Sequence, residues 1–197
     1  MKIILTTVTM LALTLTLSVV ADAQGLWQHF GCDCQFTACN PTETQITPAT
    51  INQINRLWGI GCDEGYEQFS RSPAIWNNRL YTASSASALC CWDAKTGEKK
   101  WAYGEDTSWV PQPTVTSTGT VLYLEGSSMN YSLHAINGLS GIKLWESPIQ
   151  FDLGFSDTNV ICVDEVRNQV LMVEYPFAED GKLYALDLTT GQVNWYM

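Results

Sequence analysis

The chain has 197 residues, of which 46% are hydrophobic and 15% are charged, and its formal net charge is −10. Such an acidic chain disfavours nucleic acid and anionic membrane surfaces as partners, because its own field repels both. After the first 23 residues no second run of about 20 apolar residues occurs, so the sequence predicts no further membrane-spanning helix.

Residues 1–23 have the features of a secretory signal peptide. Lys2 is the charged start, residues 3–20 are mostly apolar, and Ala21-Asp22-Ala23 is a small-x-small cleavage site. An uncleaved membrane anchor is the alternative, but the run is rich in threonine and ends in the cleavage site. We therefore expect a secreted or extracytoplasmic protein that has no membrane association after cleavage.

Residues 24–62 are predicted to form a cysteine-rich N-terminal arm. Seven cysteines in a secreted chain imply disulfides with one thiol left over. Two bridges among Cys32, Cys34, Cys39 and Cys62 are expected to pin this arm, and the sequence leaves all three pairings open. No metal site is predicted, because the spacing of Cys32 and Cys34 and the lack of a suitable histidine do not fit zinc.

Residues 63–197 contain three copies of one pattern, near 72–101, 112–145 and 157–195. In each copy an Asp or Asn is followed four residues later by Gly, and four residues after that by Trp. The triplets are Asp93, Gly97, Trp101; Asn137, Gly141, Trp145; and Asp187, Gly191, Trp195. Successive tryptophans lie 44 and 50 residues apart, which is the length of a four-stranded propeller blade.

The repeated residues predict a turn and a docking side chain. Asp or Asn can accept a hydrogen bond from the backbone two residues on, and Gly provides a positive φ. The segments DAKTG, NGLSG and DLTTG are therefore predicted hairpin loops between the third and fourth strands of each unit. The tryptophan on the fourth strand is expected to dock on a neighbouring unit.

These observations predict an all-β fold: a partial β-propeller of about three four-stranded blades, preceded by a disulfide-pinned arm. A coincidence of turns in an unrelated all-β domain is the alternative, and the three equal spacings argue against it.

The copy at Ala185–Trp195 matches A-x-D-x-x-T-G-x-x-x-W throughout and resembles the pyrroloquinoline-quinone-like propeller repeat. The copy at Ala135–Trp145 has Asn137 for Asp and Ser140 for Thr, and the first copy has Cys91 where the others have Ala.

The segment 40–60, NPTETQITPATINQINRLWGI, also resembles a known family. It is similar to the lead-in of quinoprotein alcohol dehydrogenases and polyvinyl-alcohol-dehydrogenase-like proteins. In that lead-in a Trp-and-Gly segment, here Trp27 and Gly31, precedes a polar loop and a short helix, here expected over Ile51–Trp58.

The resemblance implies oxidation of an alcohol by pyrroloquinoline quinone beside a bound Ca²⁺. The cofactor would carry the electrons, while the protein would supply orientation and a carboxylate base. The sequence assigns neither the base nor the Ca²⁺ ligands. The alternative is a non-catalytic propeller scaffold that binds a protein or a glycan, because blade packing and quinone chemistry are separate properties.

The length of the chain limits the number of blades. Signal cleavage leaves 174 residues, which is fewer than four units of about 45 residues, whereas closed propellers have about four to eight. We therefore expect an N-terminal fragment, a truncated reading frame or part of a split protein, and a fragment is expected to be inactive alone. Its open blade edge should be completed by missing blades or should self-associate.

Cys90 and Cys91 are the sharpest cofactor candidates. The resemblance implies a disulfide between adjacent cysteines over the quinone. Their position argues against it, because the pair falls within the third strand of the first repeat rather than in a loop. The structural interpretation is two buried thiols, or a bridge to Cys162.

The remaining candidates rest on position. By analogy with other propellers, the loops that enter the innermost strands nominate three ligand-face residues: Arg71, Gln112 and Asp157. His134 fills an aromatic position of the repeat, so packing is favoured over catalysis. Glu125 and Glu174 match by position and are expected to be solvated residues at strand ends.

Overall fold

The structure is a computed structural model, and it describes residues 44, 46–59, 72–84, 88–104, 112–127, 130–152, 161–174 and 180–197. The predicted signal peptide lies outside these residues. So do Cys32, Cys34, Cys39 and Cys62, and with them the predicted disulfides of the arm.

The described strands form three four-stranded antiparallel sheets, in which strands consecutive in sequence are paired. Blade 1 contains β1 (Ala74–Trp76), β2 (Arg79–Ser84), β3 (Ala88–Asp93) and β4 (Lys99–Tyr103). Blade 2 contains β5 (Thr114–Val115), β6 (Thr120–Ser127), β7 (Asn130–Asn137) and β8 (Lys143–Asp152). Blade 3 contains β9 (Ile161–Asp164), β10 (Gln169–Glu174), β11 (Lys182–Asp187) and β12 (Val193–Tyr196). The predicted all-β class and the three four-stranded units are confirmed.

The turns between the third and fourth strands have one geometry. In blade 3, Oδ1 of Asp187 accepts hydrogen bonds from the backbone N–H of Thr189 at 2.9 Å and of Thr190 at 2.8 Å. The turn closes when Gly191 N donates to Asp187 O at 2.8 Å, with Gly191 at a φ of 73°. Asp93 and Asn137 make the corresponding bonds in blades 1 and 2. A side-chain oxygen that satisfies two adjacent N–H groups explains why the position takes Asp or Asn.

The core lies between the blades. Alternate residues of β6 point to opposite sides, as strand geometry requires. Val121 and Tyr123 pack with blade 1, whereas Leu122 and Leu124 pack with blade 3. All four are fully or almost fully buried. Blade 2 is therefore buried on both faces, which accounts for its apolar strands.

The tryptophans of blades 1 and 2 join each blade to the next. Trp101 donates its indole N–H to Gly138 O, and Trp145 donates to Leu188 O, both at 3.0 Å. Each ring lies against the glycine of the turn that it contacts, Gly141 or Gly191. Each indole therefore binds at a site with two parts: the turn glycine, against which the ring packs, and the carbonyl of the residue after the Asp or Asn, which accepts the indole N–H. We call this site a tryptophan groove.

The lead-in is less helical than predicted. A 3₁₀ helix covers Ile51–Gln53 only, and Ile54 is already extended, with φ −67° and ψ 122°. The predicted helix to Trp58 is therefore wrong beyond Gln53. The extended chain instead brings Trp58 to blade 1, where its indole N–H donates to Ala94 O at 3.0 Å. In the part of the chain that the structure describes, no helix is long and apolar enough to cross a membrane.

Candidate functional site

The blades have two distinct ends. The turns between first and second strands and between third and fourth strands lie at one end, which we call the turn end. The innermost strands begin at the opposite end, which we call the entry end. Gln112 lies there, two residues before β5. Arg71 and Asp157 fall outside the described residues, so of the three nominated ligand-face residues only Gln112 is placed.

Gln112 is buried without hydrogen bonds. Gln112 is 4% exposed, and neither Oε1 nor Nε2 of its side chain has a hydrogen-bond partner. Leaving a buried amide unsatisfied costs about 1–3 kcal/mol. The amide offers two N–H donors and a carbonyl acceptor, so a ligand with both kinds of group could satisfy it.

A second polar constellation lies between blades 1 and 2, centred on His134. Its Nδ1 lies 2.7 Å from Tyr103 Oη and 2.9 Å from Glu125 Oε2. Its Nε2 lies 3.6 Å from Glu146 Oε1, and Lys143 Nζ binds the other oxygen of Glu146 at 2.7 Å. The residue is 6% exposed, and Tyr103 packs edge-on against its ring. His134 thus fills an aromatic position and also anchors a network.

The network favours a neutral histidine. Burial is the largest effect and lowers the pKa of His134, although Glu125 and Glu146 act in the opposite direction. Burial and the same two carboxylates raise the pKa of Tyr103 to about 12. A neutral ring can use Nδ1 either to donate to Glu125 or to accept from Tyr103. The constellation can hold a proton, but each polar group already has a partner within it.

His134→Gln is expected to reduce the loss of stability on acidification. Because the folded-state pKa lies below the ordinary 6.5, the unfolded chain binds the proton first. The contribution of His134 to the free energy of unfolding is therefore present above pH 6.5 and is lost as the pH falls through the folded-state pKa. Glutamine keeps a donor for Glu125 and does not titrate.

The measurement is the urea midpoint of both proteins at pH 7.5 and pH 5.5. His29 is present in both and cancels. An equal fall in the two midpoints would contradict a role for His134.

The two strand-end glutamates are not solvated, contrary to the prediction. Glu174 is 8% exposed and accepts hydrogen bonds from Tyr184 Oη at 2.8 Å and from Asp152 N at 3.1 Å. The Glu125 side chain is 21% exposed and faces His134. Each glutamate reaches the residue diagonal to it on the neighbouring strand, His134 or Tyr184. Blades 2 and 3 therefore contain the same kind of contact, in which a strand-end glutamate binds a ring side chain of the next strand.

Cys90 and Cys91 are buried thiols in β3, and Cys162, which is partly exposed, is likewise a thiol rather than part of a disulfide. Neither a disulfide between the adjacent pair nor a bridge to Cys162 is present. Adjacent residues of a regular strand point to opposite faces, which separates the two sulfur atoms. Burial raises the pKa of Cys91 to about 12, so its thiol is unreactive. The structural interpretation of this pair agrees with the structure.

The turn aspartates hold the backbone. Hydrogen bonds from backbone N–H groups lower the pKa values of Asp93 and Asp187, which keeps both carboxylates ionised in their turns. Among the described residues, no group of three His, Cys, Asp or Glu side chains is arranged to hold a metal ion.

A cleft of about 350 Å³ lies at the turn end, between blades 2 and 3. Its polar wall is already engaged: Glu165 accepts hydrogen bonds from Ser117, and Asn168 bonds Asp187 and Thr189. Gln112, at the other end, is therefore the better candidate for a ligand contact.

Comparison with known families decides which repeat this is. A family model described as "Outer membrane protein assembly factor BamB" matches residues 25–196. The chain belongs to this family of pyrroloquinoline-quinone-like (PQQ-like) propeller repeats.

Individual relatives of this PQQ-like chain are distant. The quinoprotein ethanol dehydrogenase of Pseudomonas aeruginosa is 23% identical over 164 residues, which cover 77% of this chain and 26% of that protein. The quinohemoprotein alcohol dehydrogenase of Comamonas testosteroni has a TM-score of 0.61 at 17% identity, covering 90% of this chain and 28% of that one. A europium-containing methanol dehydrogenase has a TM-score of 0.59 at 14% identity, covering 89% and 32%. The chain thus spans about a quarter to a third of the length of these relatives, and the structural matches support the propeller fold.

Sequence reasoning missed two features of this PQQ-like chain. The residues of the network around His134 have no sequence spacing that would identify them. The docking of Trp58 could have been predicted from spacing, because Trp58 lies 43 residues before Trp101, close to the step between the later tryptophans.

Proposed function

We propose that this chain supplies three blades and part of the ligand face of an extracytoplasmic, quinoprotein-dehydrogenase-like propeller that oxidises an alcohol with PQQ. The buried, unsatisfied amide of Gln112 at the entry end carries the proposal. The likeness to quinoprotein ethanol dehydrogenase over 77% of the chain supports the same class of cofactor. An oxidising compartment would also suit the proposed disulfides among the arm cysteines.

Gln112 fits the quinone chemically. PQQ carries carboxylates and carbonyl oxygens, which accept hydrogen bonds of the kind that the Gln112 amide is free to donate. When bound, the quinone would supply a two-electron, two-proton oxidation of an alcohol to an aldehyde. An amide does not titrate in this range, so Gln112 would bind and orient rather than move a proton. No Ca²⁺ ligand is assigned among the described residues.

Gln112→Leu is expected to weaken PQQ binding about tenfold while stabilising the free protein. Losing one buried hydrogen bond to the ligand costs about 1 kcal/mol, and tenfold in affinity corresponds to 1.4 kcal/mol. The same change removes an orphan amide that costs about 1–3 kcal/mol in the free protein. The measurements are tryptophan fluorescence during titration with PQQ and CaCl₂, and the thermal midpoint without ligand.

Gln192→Leu is the matched control, because Gln192 is exposed and lies at the turn end of blade 3, far from the entry end where Gln112 lies. It should leave binding unchanged. A Gln112→Leu protein that binds PQQ as well as the wild type would remove the proposal. So would a variant that is less stable than the wild type, since Gln112 would then be structural.

A non-catalytic scaffold is the second candidate, favoured by the exposed outer face of blade 3, where Trp195 is 41% and Val173 is 42% exposed. The two candidates separate on one assay with an alcohol, PQQ, CaCl₂ and an artificial electron acceptor. Binding of PQQ supports the quinoprotein assignment even without turnover, because the chain spans only about a quarter to a third of the length of the quinoprotein relatives. Absence of PQQ binding together with capture of a defined protein or glycan would favour the scaffold.

A further inference from the structure

The turn between β7 and β8 of blade 2 carries three aliphatic side chains in exposed positions. Leu139 and Leu144 are each 52% exposed, and Ile142 is 67% exposed. The repeat provides an internal comparison, because the other two blades have polar residues at the same three positions. These are Lys95, Glu98 and Lys100 in blade 1, and Thr189, Gln192 and Asn194 in blade 3. All six are exposed as well, so these positions face solvent in each of the three blades and are apolar in blade 2 alone.

The exposure in blade 2 does not come from a missing neighbour. Blade 2 packs against blade 1 on one face and against blade 3 on the other, and the three side chains stay exposed with both contacts made. Leu144 is the unpaired residue of a β-bulge in the edge strand β8, a device that disfavours pairing with an added strand. Clustered exposed apolar side chains mark interaction sites, and here the contact must be made by side chains.

This apolar surface continues into the cleft between blades 2 and 3. Leu144 lines the cleft from blade 2, and Glu165 lines it from blade 3. Val166, next to Glu165 in sequence, is 94% exposed. We call Leu139, Ile142, Leu144 and Val166 the aliphatic patch. The volume of the cleft, about 350 Å³, is at the lower end of the range for ligand pockets, roughly 300–1,000 Å³.

Glu165 gives the cleft a fixed negative charge. Its two oxygens accept hydrogen bonds from N and Oγ of Ser117, which hold the carboxylate in place. Arg167 is paired with Asp164 at 2.7 Å, and no cation among the described residues forms an ion pair with Glu165. A carboxylate has about four lone-pair sites, of which Ser117 uses two. The two that remain suit the parallel N–H groups of a guanidinium.

We propose that the aliphatic patch and this cleft bind a segment of a partner protein in which an arginine lies beside aliphatic residues. The arginine enters the cleft and pairs with Glu165, while its aliphatic neighbours cover the patch and remove it from water. The net charge of −10 steers a basic partner toward this chain. The site lies at the turn end, whereas Gln112 lies at the entry end, so this proposal does not rest on the oxidation of an alcohol.

A membrane surface fits the patch less well than a protein does. Helices and loops that lie in a membrane interface carry Trp or Phe together with an excess of Lys and Arg. The aliphatic patch contains no aromatic residue, and the charge that it borders is a carboxylate.

The first test is selection of peptides from a random phage-displayed library against this protein. Counter-selection uses Leu139→Lys/Ile142→Glu/Leu144→Lys, which gives blade 2 the residues that blade 1 already has at these positions. This triple variant should therefore keep the circular dichroism spectrum and the urea midpoint of the wild type. Peptides specific for the wild type should be enriched in arginine flanked by aliphatic residues.

The second test titrates one selected peptide, labelled with fluorescein, by fluorescence anisotropy. Glu165→Gln should weaken binding about tenfold, because it removes the charge but keeps an acceptor for Ser117. Replacing the peptide's arginine by citrulline should cost the wild type a similar factor and cost Glu165→Gln little more, as expected for two groups in contact. Glu98→Gln, which removes an exposed carboxylate from the turn of blade 1, is the matched control and should leave binding unchanged.

Three results would overturn the proposal. One is a selection that yields no peptide specific for the wild type, or peptides without enriched arginine. Another is equal binding of the selected peptide to the wild type and to Glu165→Gln, which tests the contact without the triple variant. The third is sedimentation of the wild type with vesicles of phosphatidylcholine and phosphatidylglycerol that the folded triple variant has lost, because the patch would then bind lipid.

Discussion

Trp145→Ala is expected to lower the free energy of unfolding by about 3–5 kcal/mol, the usual cost of deleting a packed tryptophan. The indole packs against the core cluster between blades 2 and 3 and lies against Gly191. Its N–H also satisfies Leu188 O at 3.0 Å, and that carbonyl would lose its partner. Because one side chain joins two sheets, the loss falls on the contact between blades rather than on a single hairpin. Urea denaturation followed by circular dichroism measures it.

Trp195→Ala is the control, since it removes the same residue from the same repeat position. Trp195 is 41% exposed and docks on none of the described turns, so we expect a loss below about 0.5 kcal/mol, as for ordinary surface positions. Trp145→Phe, which keeps a ring but removes the N–H, should lose about 1 kcal/mol from the hydrogen bond, in addition to its smaller size. Equal losses for Trp145→Ala and Trp195→Ala would show that docking does not hold the blades together.

The blade framework was predictable because it depends on local chemistry. An Asx oxygen bonds N–H groups two and three residues away, and the glycine follows within the same turn, so the whole device lies in five consecutive residues. The alternation that buries both faces of β6 is also local. These features repeat three times, which made the all-β class and the four-stranded units readable from the sequence.

The network around His134 was not predictable, because its members come from separate strands. Tyr103 belongs to blade 1, whereas Glu125, His134 and Glu146 belong to three strands of blade 2. Only the packing of the two blades brings the phenol within 2.7 Å of Nδ1. The same limit applies to Glu125, whose strand-end position suggested solvent until the diagonal contact to His134 was known.

The docking of Trp58 could have been found from spacing alone. It lies 43 residues before Trp101, but no Asx or Gly precedes it at the repeat distances, so a search for the full triplet passes over it. A tryptophan groove contacts the indole but not the Asx-Gly turn that precedes the tryptophan in the repeat. Trp58 can therefore dock without such a turn of its own. A search for tryptophans spaced by about 45 residues would therefore have found Trp58 together with Trp101, Trp145 and Trp195.

Gly191→Ala is expected to destabilise the protein by about 2–4 kcal/mol, through two separable costs. The residue has a φ of 73°, where an L side chain costs about 1–2 kcal/mol. The new Cβ would also clash with Cε3 of Trp145, which forces the indole out of its position. Thermal or urea unfolding gives the sum of the two.

A double-mutant cycle with Trp145→Ala separates these costs. Trp145→Ala removes all three of the heavy atoms that would lie nearest to the new Cβ, so Gly191→Ala should then cost mainly the backbone strain, about 1–2 kcal/mol. The two changes should therefore be less than additive by about 1 kcal/mol or more, as is usual for residues in contact. Additive losses would mean that the glycine serves the turn alone. A coupled loss would mean that the same glycine sets both the turn and the groove, which explains why the repeat keeps Asx, Gly and Trp at fixed distances.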